Sequence, residues 1–170
     1  PPQTQSPCPH PALARAFSHA TSYLDGLDRA PVGARLSLEQ LRARLGGAVP
    51  ERGTPPAQVI DDLVAATDGG HNGCAGGRFF AWVIGGALES ALAADWLTST
   101  WDQNAALYAC SPSAAVAEEI AGQWLKEMLG LPTEASFAFT TGCQLAHITC
   151  LIAARHAVLQ RAGWDVNDSG

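Results

Sequence analysis

Apolar and polar positions alternate with helical period over much of the chain. From Pro112 to Gly130, Val116, Ile120, Trp124 and Met128 recur every four residues, with Ala117, Ala121, Leu125 and Leu129 beside them. Glu118, Glu119, Gln123, Lys126 and Glu127 fill the other face, and Gly130 with Pro132 closes the segment, so the pattern predicts an amphipathic helix with Lys126 as a solvated charge. Leu13, Phe17, Ala20, Tyr23, Leu24 and Leu27 predict another over 12–27. "SLEQLRARLG" opens on Ser37 as N-cap, carries Gln40 at the capping-box position and ends at Gly46. "TPPAQVIDDLVAATDGG" offers Thr54 as cap, prolines in the first turn and two glycines as a stop. Three short helices on punctuated linkers bury little among themselves, so they predict an arm that packs on something else.

Beyond the glycine-rich loop "DGGHNGCAGG" (68–77), "RFFAWVIGG" predicts a short extended segment. "ALESALAADWLTSTWDQNAALY" predicts a helix to about residue 100, with Leu88, Leu92, Trp96 and Leu97 on one side. "ASFAFTT" (135–141) is the best strand candidate, and a long helix from Gly142 to about Ala162 follows it. Strand, Thr-Thr-Gly, helix is a good anion site, because the first helical N–H groups lack intrahelical partners and the dipole places positive charge there. Gly142 lets an anion approach closely, while Thr140, Thr141 and Gln144 offer side-chain donors.

Composition narrows the class. With 47% hydrophobic and 15% charged residues in 170, the chain predicts a single-domain core with a large buried fraction and room for an appendage. A net charge of −6 and the lack of a basic stripe argue against a nucleic-acid surface. No apolar run approaches the roughly 18 residues of a membrane span, and no signal-peptide pattern is visible. The five cysteines (Cys8, Cys74, Cys110, Cys143, Cys150) are scattered without a CxxC pair, which predicts buried free thiols in a reducing, cytoplasmic setting. The opening "PPQTQSPCPHP" predicts a disordered lead-in over 1–11, and a first residue Pro rather than Met predicts a processed or trimmed start.

Three stretches in order, "GRFFAWVIGG", "AADWLTSTWDQNAALYACSPSAAVAEEIAGQWLKEMLGLP" and "SFAFTTGCQLAHITCLIAARHAVLQRAGWD", resemble one family. It is the pyridoxal-phosphate (PLP)-dependent amino-acid decarboxylases of the aromatic-amino-acid and glutamate decarboxylase group. The resemblance runs from about Gly77 to Trp164, and the upstream helices resemble that family's dimer-swapping arm. It implies an α/β, aspartate-aminotransferase-like fold, present in part: an arm over 12–76 and the start of the large cofactor-binding domain over 77–170. It implies pyridoxal 5′-phosphate as cofactor, with Thr141, Gly142, Cys143 and Gln144 wrapping its phosphate. Gln144 stands where the family usually has Ser or Thr, and His147 often where it has Asn or another small polar residue. Backbone N–H donors survive either change, and an amide replaces the hydroxyl contact.

The resemblance also implies that Trp82, Val83, Gln103 and Asn104, with Ala106, line the substrate side chain, partly across a dimer interface. Amides in "DQN" (102–104) would suit a polar substrate better than an aromatic one. The family's Schiff-base lysine, ring-pairing Asp and stacking His fall downstream of Gly170, so no catalytic residue is assigned within these residues. The expectation is part of an enzyme, inactive alone, that works as a homodimer or with a C-terminal chain. It would remove the α-carboxylate of an L-amino acid to give an amine and CO2. Alternatives are an oxidative decarboxylase forming an aldehyde, or a non-catalytic relic that keeps dimerisation or phosphate binding.

Cys143, His147 and Cys150 fall at i, i+4 and i+7, a spacing that a soft metal could use, but three ligands without a fourth make a poor site. A packed interior face is the expected role, and no metal is assigned. His71 with Cys74 is a weaker pair. Cys143 with His147 as a nucleophilic pair lacks a third, orienting group.

Overall fold

The structure is a computed structural model that describes residues 9–169. Seven helices form: α1 (Pro11–Gly26), α2 (Leu38–Leu45), α3 (Pro56–Thr67), α4 (Glu89–Trp101), α5 (Pro112–Met128), α6 (Cys143–Arg161) and α7 (Val166–Ser169). The chain divides into two compact units, Pro1–Asp95 and Trp96–Gly170. The expected lead-in over 1–11 falls mostly outside the described residues, and Pro11 already opens α1.

Local chemistry explains most boundaries. Ser37 Oγ accepts from the Gln40 N–H at 3.2 Å while the Gln40 amide oxygen accepts from the Ser37 N–H at 2.8 Å, a complete capping box. Helix α3 differs from expectation: its N-cap is Pro55, no side chain caps it, and Thr54 lies outside. Proline in the first turn fixes φ and removes one N–H that needs a partner, so a side-chain cap matters less there. At the end of α5, Gly130 takes φ 63°, its N–H donates to Glu127 O at 3.1 Å, and the Leu131 N–H donates to Lys126 O at 2.9 Å. Helix α6 closes the same way, with Gly163 at φ 82° and the Trp164 N–H on Leu159 O at 2.9 Å. Both are Schellman stops, which glycine allows at low steric cost.

In the first unit α3 packs against both α1 and α2. Arg15 Nε reaches the two carboxylate oxygens of Asp61 at 2.7 and 3.0 Å, and His19 Nε2 sits 2.7 Å from Oδ1. The hydrogen bond from His19, then that from Arg15, holds the Asp61 carboxyl below the ordinary carboxylate range. A depressed folded-state value means that the link stabilises above the unfolded value and is lost as pH falls through the folded one, below about pH 4. Thermal melts of wild type and Asp61→Asn should therefore differ at pH 7 and converge as the pH falls toward 2.5. A gap independent of pH would count against the link.

The expected large buried fraction does not form, since no hydrophobic side chain among the described residues is buried. The stripe on α5 stays open, with Trp124 64% and Met128 73% exposed. The contact that α5 does make lies on a neighbouring face, where the Phe137 ring rests on Gly122, the helix's buried residue. An apolar stripe is covered only if a partner surface meets it, and these residues do not supply one.

Two extended expectations also change. Residues 135–141 carry no strand, and the described residues contain no strand at all, so the α/β layer is not built here. A strand exists by pairing its N–H and C=O groups with a neighbour, and an apolar run with no adjacent strand stays an unpaired extended segment. "RFFAWVIGG" is broken by a turn, with Trp82 and Val83 both at φ 55° and the Ile84 N–H on Ala81 O at 3.2 Å. Nothing in that run signals left-handed backbone, which Trp and Val disfavour.

Candidate functional site

Helix α6 begins where the sequence placed it. Gly142 is its N-cap at φ 117°, ψ 163°, a conformation essentially confined to glycine. No side chain caps the helix. The Ala146 N–H bonds back to Gly142 O at 3.2 Å, which makes Cys143, Gln144 and Leu145 the first three helical residues, with N–H groups that lack intrahelical partners. All three are exposed. A Cβ on Gly142 would meet nothing within 4 Å, so the space beside the N-cap is open.

The neighbours divide their roles. Thr140 donates its hydroxyl to Gly142 O at 3.2 Å, so it braces the turn and is not the outward donor expected of it. Thr141 and Gln144 are exposed beside the open N–H groups. The Leu145 N–H is a third backbone donor that reading the motif residue by residue missed; counting three helical positions on from the N-cap would have found it.

Cys143, His147 and Cys150 are exposed, not packed inside as expected. Among the described residues no group of three His, Cys, Asp or Glu side chains is placed to hold a metal ion. Cys74, Cys110, Cys143 and Cys150 carry free thiols, but the last three are exposed, for the same want of a covering surface; Cys8 lies outside the described residues. Lys126 departs from the solvated role as well. Its ammonium donates to Thr133 O at 2.6 Å and Ala135 O at 2.9 Å and lies 5.9 Å from the Phe137 ring centroid. It ties the end of α5 to the segment leading into the 140–142 turn.

Of the residues expected along a substrate, Trp82 and Val83 fall in the first unit and Gln103, Asn104 and Ala106 in the second. Trp82 and Val83 form the exposed left-handed turn, with the Trp82 ring 5.6 Å from that of Phe79. Gln103 donates its amide to Trp101 O at 2.9 Å, and Asn104 Oδ1 accepts from the Ala106 N–H at 3.1 Å. Each amide thus makes one bond to nearby backbone, and among the described residues no hydrogen bond joins 102–104 to 140–144. No helix among the described residues is long and apolar enough to cross a membrane.

An open helix N-terminus behind a glycine-only conformation is of a kind that suits an anion, and solved structures that hold PLP share the fold. Oryza sativa TDC with PLP and tryptamine superposes with a TM-score of 0.75 at 25% identity, over 91% of this chain and 35% of that one. Oryza sativa TDC with PLP gives 0.75 at 26% identity, over 90% and 34%. Residues 39–165 match the pyridoxal-dependent decarboxylase conserved domain, and the chain belongs to that family. Its relatives include an aromatic-L-amino-acid decarboxylase of Bacillus atrophaeus, 28% identical over 144 residues that cover 81% of this chain and 28% of the relative. Tryptophan decarboxylase 1 of Oryza sativa subsp. japonica is 27% identical over 166 residues, covering 90% and 32%. The chain therefore spans about a third of the length of the curated relatives that it matches.

Pyridoxal 5′-phosphate is the cofactor of the family, and the residues present fit its phosphate end. The three open N–H groups, the space a Cβ on Gly142 would fill and the Thr141 and Gln144 side chains make a donor set suited to a dianion. Gln144→Ala removes one neutral side-chain donor and leaves the backbone ones, so PLP affinity of the assembled enzyme should fall by about 1 kcal/mol, or a few-fold. Titration of PLP into variant and wild type reads this; a complete loss of binding would make the amide, not the backbone, the main anchor.

Proposed function

We propose that residues 39–165 form the cofactor-anchoring part of an enzyme that removes the α-carboxylate of an aromatic L-amino acid as CO2 and releases the amine. The observation that carries the reading is the uncapped N-terminus of α6 behind Gly142 in a chain of this family. In it, the N–H groups of Cys143, Gln144 and Leu145 hold the phosphate, and Thr141 and Gln144 add side-chain donors. Bound there, PLP supplies the electron sink that lets the carboxylate leave. Anchoring by fixed backbone dipoles holds the phosphate without side-chain rearrangement, which keeps the cofactor in one orientation.

An aromatic substrate is favoured over the polar one that the "DQN" stretch suggested. Gln103 and Asn104 each give one amide bond to nearby backbone, and Phe80 and Trp82 stand 92% and 71% exposed and can offer ring faces. The names of the two curated relatives point the same way. The test is product analysis on the assembled enzyme with L-tryptophan, L-phenylalanine and L-glutamate. Amine and CO2 in equal amounts from the aromatic substrates are expected. A preference for glutamate would overturn the substrate class, and aldehyde in place of amine would overturn the reaction.

The reading extends to assembly as a homodimer or with a chain carrying the rest of the fold, in the cytoplasm. Support comes from the uncovered stripe on α5 and from an apolar groove of about 630 Å³ between α1 and α3, lined in part by Ala20, Tyr23, Ile60 and Leu63. Exposed apolar surface on this scale normally meets a partner. Sedimentation should give a dimer or a stoichiometric complex; a monomer with an ordinary cooperative melt would contradict it.

A further inference from the structure

The left-handed turn at Trp82 and Val83 poses a question that its own sequence does not answer. Both residues sit at φ 55°, one of them β-branched; Val83 is fully exposed, and the Trp82 ring meets Phe79 of the same loop at 5.6 Å. Such backbone persists only where the surroundings over-determine it. Here the constraint lies at the base of the loop. A Cβ on Gly86 would lie 3.3 Å from Ala75 O, so the outgoing segment of the loop runs against the incoming one.

The incoming segment is in turn locked to the linker between α1 and α2. Gly73 N–H donates to Val32 O at 2.9 Å, Ala34 N–H to Asn72 Oδ1 at 2.9 Å, and the N–H groups of Arg35 and Leu36 to Gly69 O at 2.7 and 3.1 Å. The last bond of the series is the Arg78 guanidinium on Ala30 O, which crosses 48 residues just before the tip begins. Past Arg78 the backbone bonds become local, with the Phe79 N–H on Gly76 O and the Ile84 N–H on Ala81 O, both at 3.2 Å.

We propose that Arg78 is a positioning residue for the substrate side of the site: by clamping the base of the 79–86 loop to the Ala30 carbonyl, it lets the arm set where Trp82 and Val83 stand. This rests on the reading of Trp82 and Val83 as substrate-lining. A guanidinium suits the task, since a charged donor on a carbonyl is stronger than a neutral one and its planar fork fixes direction as well as distance.

The test compares Arg78→Ala, Arg78→Lys, Trp82→Ala and the Arg78→Ala/Trp82→Ala pair in the assembled enzyme, with L-tryptophan as substrate. Arg78→Ala should raise KM about five-fold with kcat and PLP affinity within about two-fold, the loss of one charged hydrogen bond that acts on substrate placement alone. Arg78→Lys should restore most of the KM, because an ammonium still reaches one carbonyl. In the Trp82→Ala background the Arg78 change should add nothing, as expected for two residues acting through one contact. Without substrate, exchange of the Ile84 amide should quicken about five-fold in Arg78→Ala. If Arg78→Ala fails to fold, Arg78→Gln carries the test, with a smaller rise in KM expected. A raised KM in Trp82→Ala with none in the Arg78 variants overturns the assignment and leaves the reading of Trp82 standing. An unchanged KM in Trp82→Ala overturns both, and then the exchange result describes only a structural clamp.

Discussion

Gly142→Val in the assembled enzyme weakens PLP binding by about thirty-fold, the largest effect on the cofactor expected of any single change in this chain. Two causes combine. At φ 117°, ψ 163° a residue with a Cβ is strained, and strain of this kind costs about 2 kcal/mol. Relieving it turns the peptide and moves the Cys143 N–H off its direction. The new side chain also enters space where a Cβ meets no protein atom within 4 Å, and a phosphate bound at this turn would be crowded by it. Gly142→Ala separates the two, since it carries the backbone strain with less crowding, and its loss should be smaller. PLP titration with the melting curve alongside distinguishes a damaged site from a damaged fold. Unchanged affinity in both variants would mean that the phosphate sits elsewhere.

Gly122→Val destabilises the second unit by about 2–3 kcal/mol, as overpacking with a β-branched side chain does. A Cβ at Gly122 would stand 2.1 Å from Cε2 and Cζ of Phe137 and 2.5 Å from Cδ2, so the ring must leave. Its departure removes the surface beneath the Lys126 ammonium and the edge contact with Phe139 at 5.8 Å. Both residues lie on the segment that delivers the 140–142 turn to α6, so cofactor affinity should drop along with stability. Denaturant melts of Gly122→Val, Phe137→Ala and the double variant measure the coupling. The double variant should lose less than the sum of the singles, because truncating Phe137 makes room for the valine. Strict additivity would show that the ring and the glycine do not share the contact.

Much of the helical scaffold was legible because its signals are local. The Ser37–Gln40 box, the prolines at the heads of α3 and α5, and Gly130 as a stop act through neighbours within a few residues. The start of α6 at Gly142 was legible for the same reason, and with it the open N–H groups. What could not be read depends on partners distant in sequence or outside these residues. The 135–141 run has strand composition, but a strand needs a neighbour to pair with, and composition does not report one. Lys126 looked solvated from its helical face; its bonds to the Thr133 and Ala135 carbonyls follow from how the chain turns after Gly130. The left-handed pair at Trp82 and Val83 runs against local propensity, and the bond from Arg78 to Ala30 that precedes it spans 48 residues. Resemblance to the family supplied the cofactor, which helix geometry alone narrows only to an anion.

The central claim is that the turn at 142–144 cradles the cofactor phosphate, and the most direct measurement is a crystal structure of the assembled enzyme grown with PLP. The account predicts the phosphate within hydrogen-bond reach, about 3 Å, of the Cys143 and Gln144 N–H groups, with Gly142 retaining its positive φ. A phosphate bound at another turn, with the N-terminus of α6 facing solvent or protein, would contradict it.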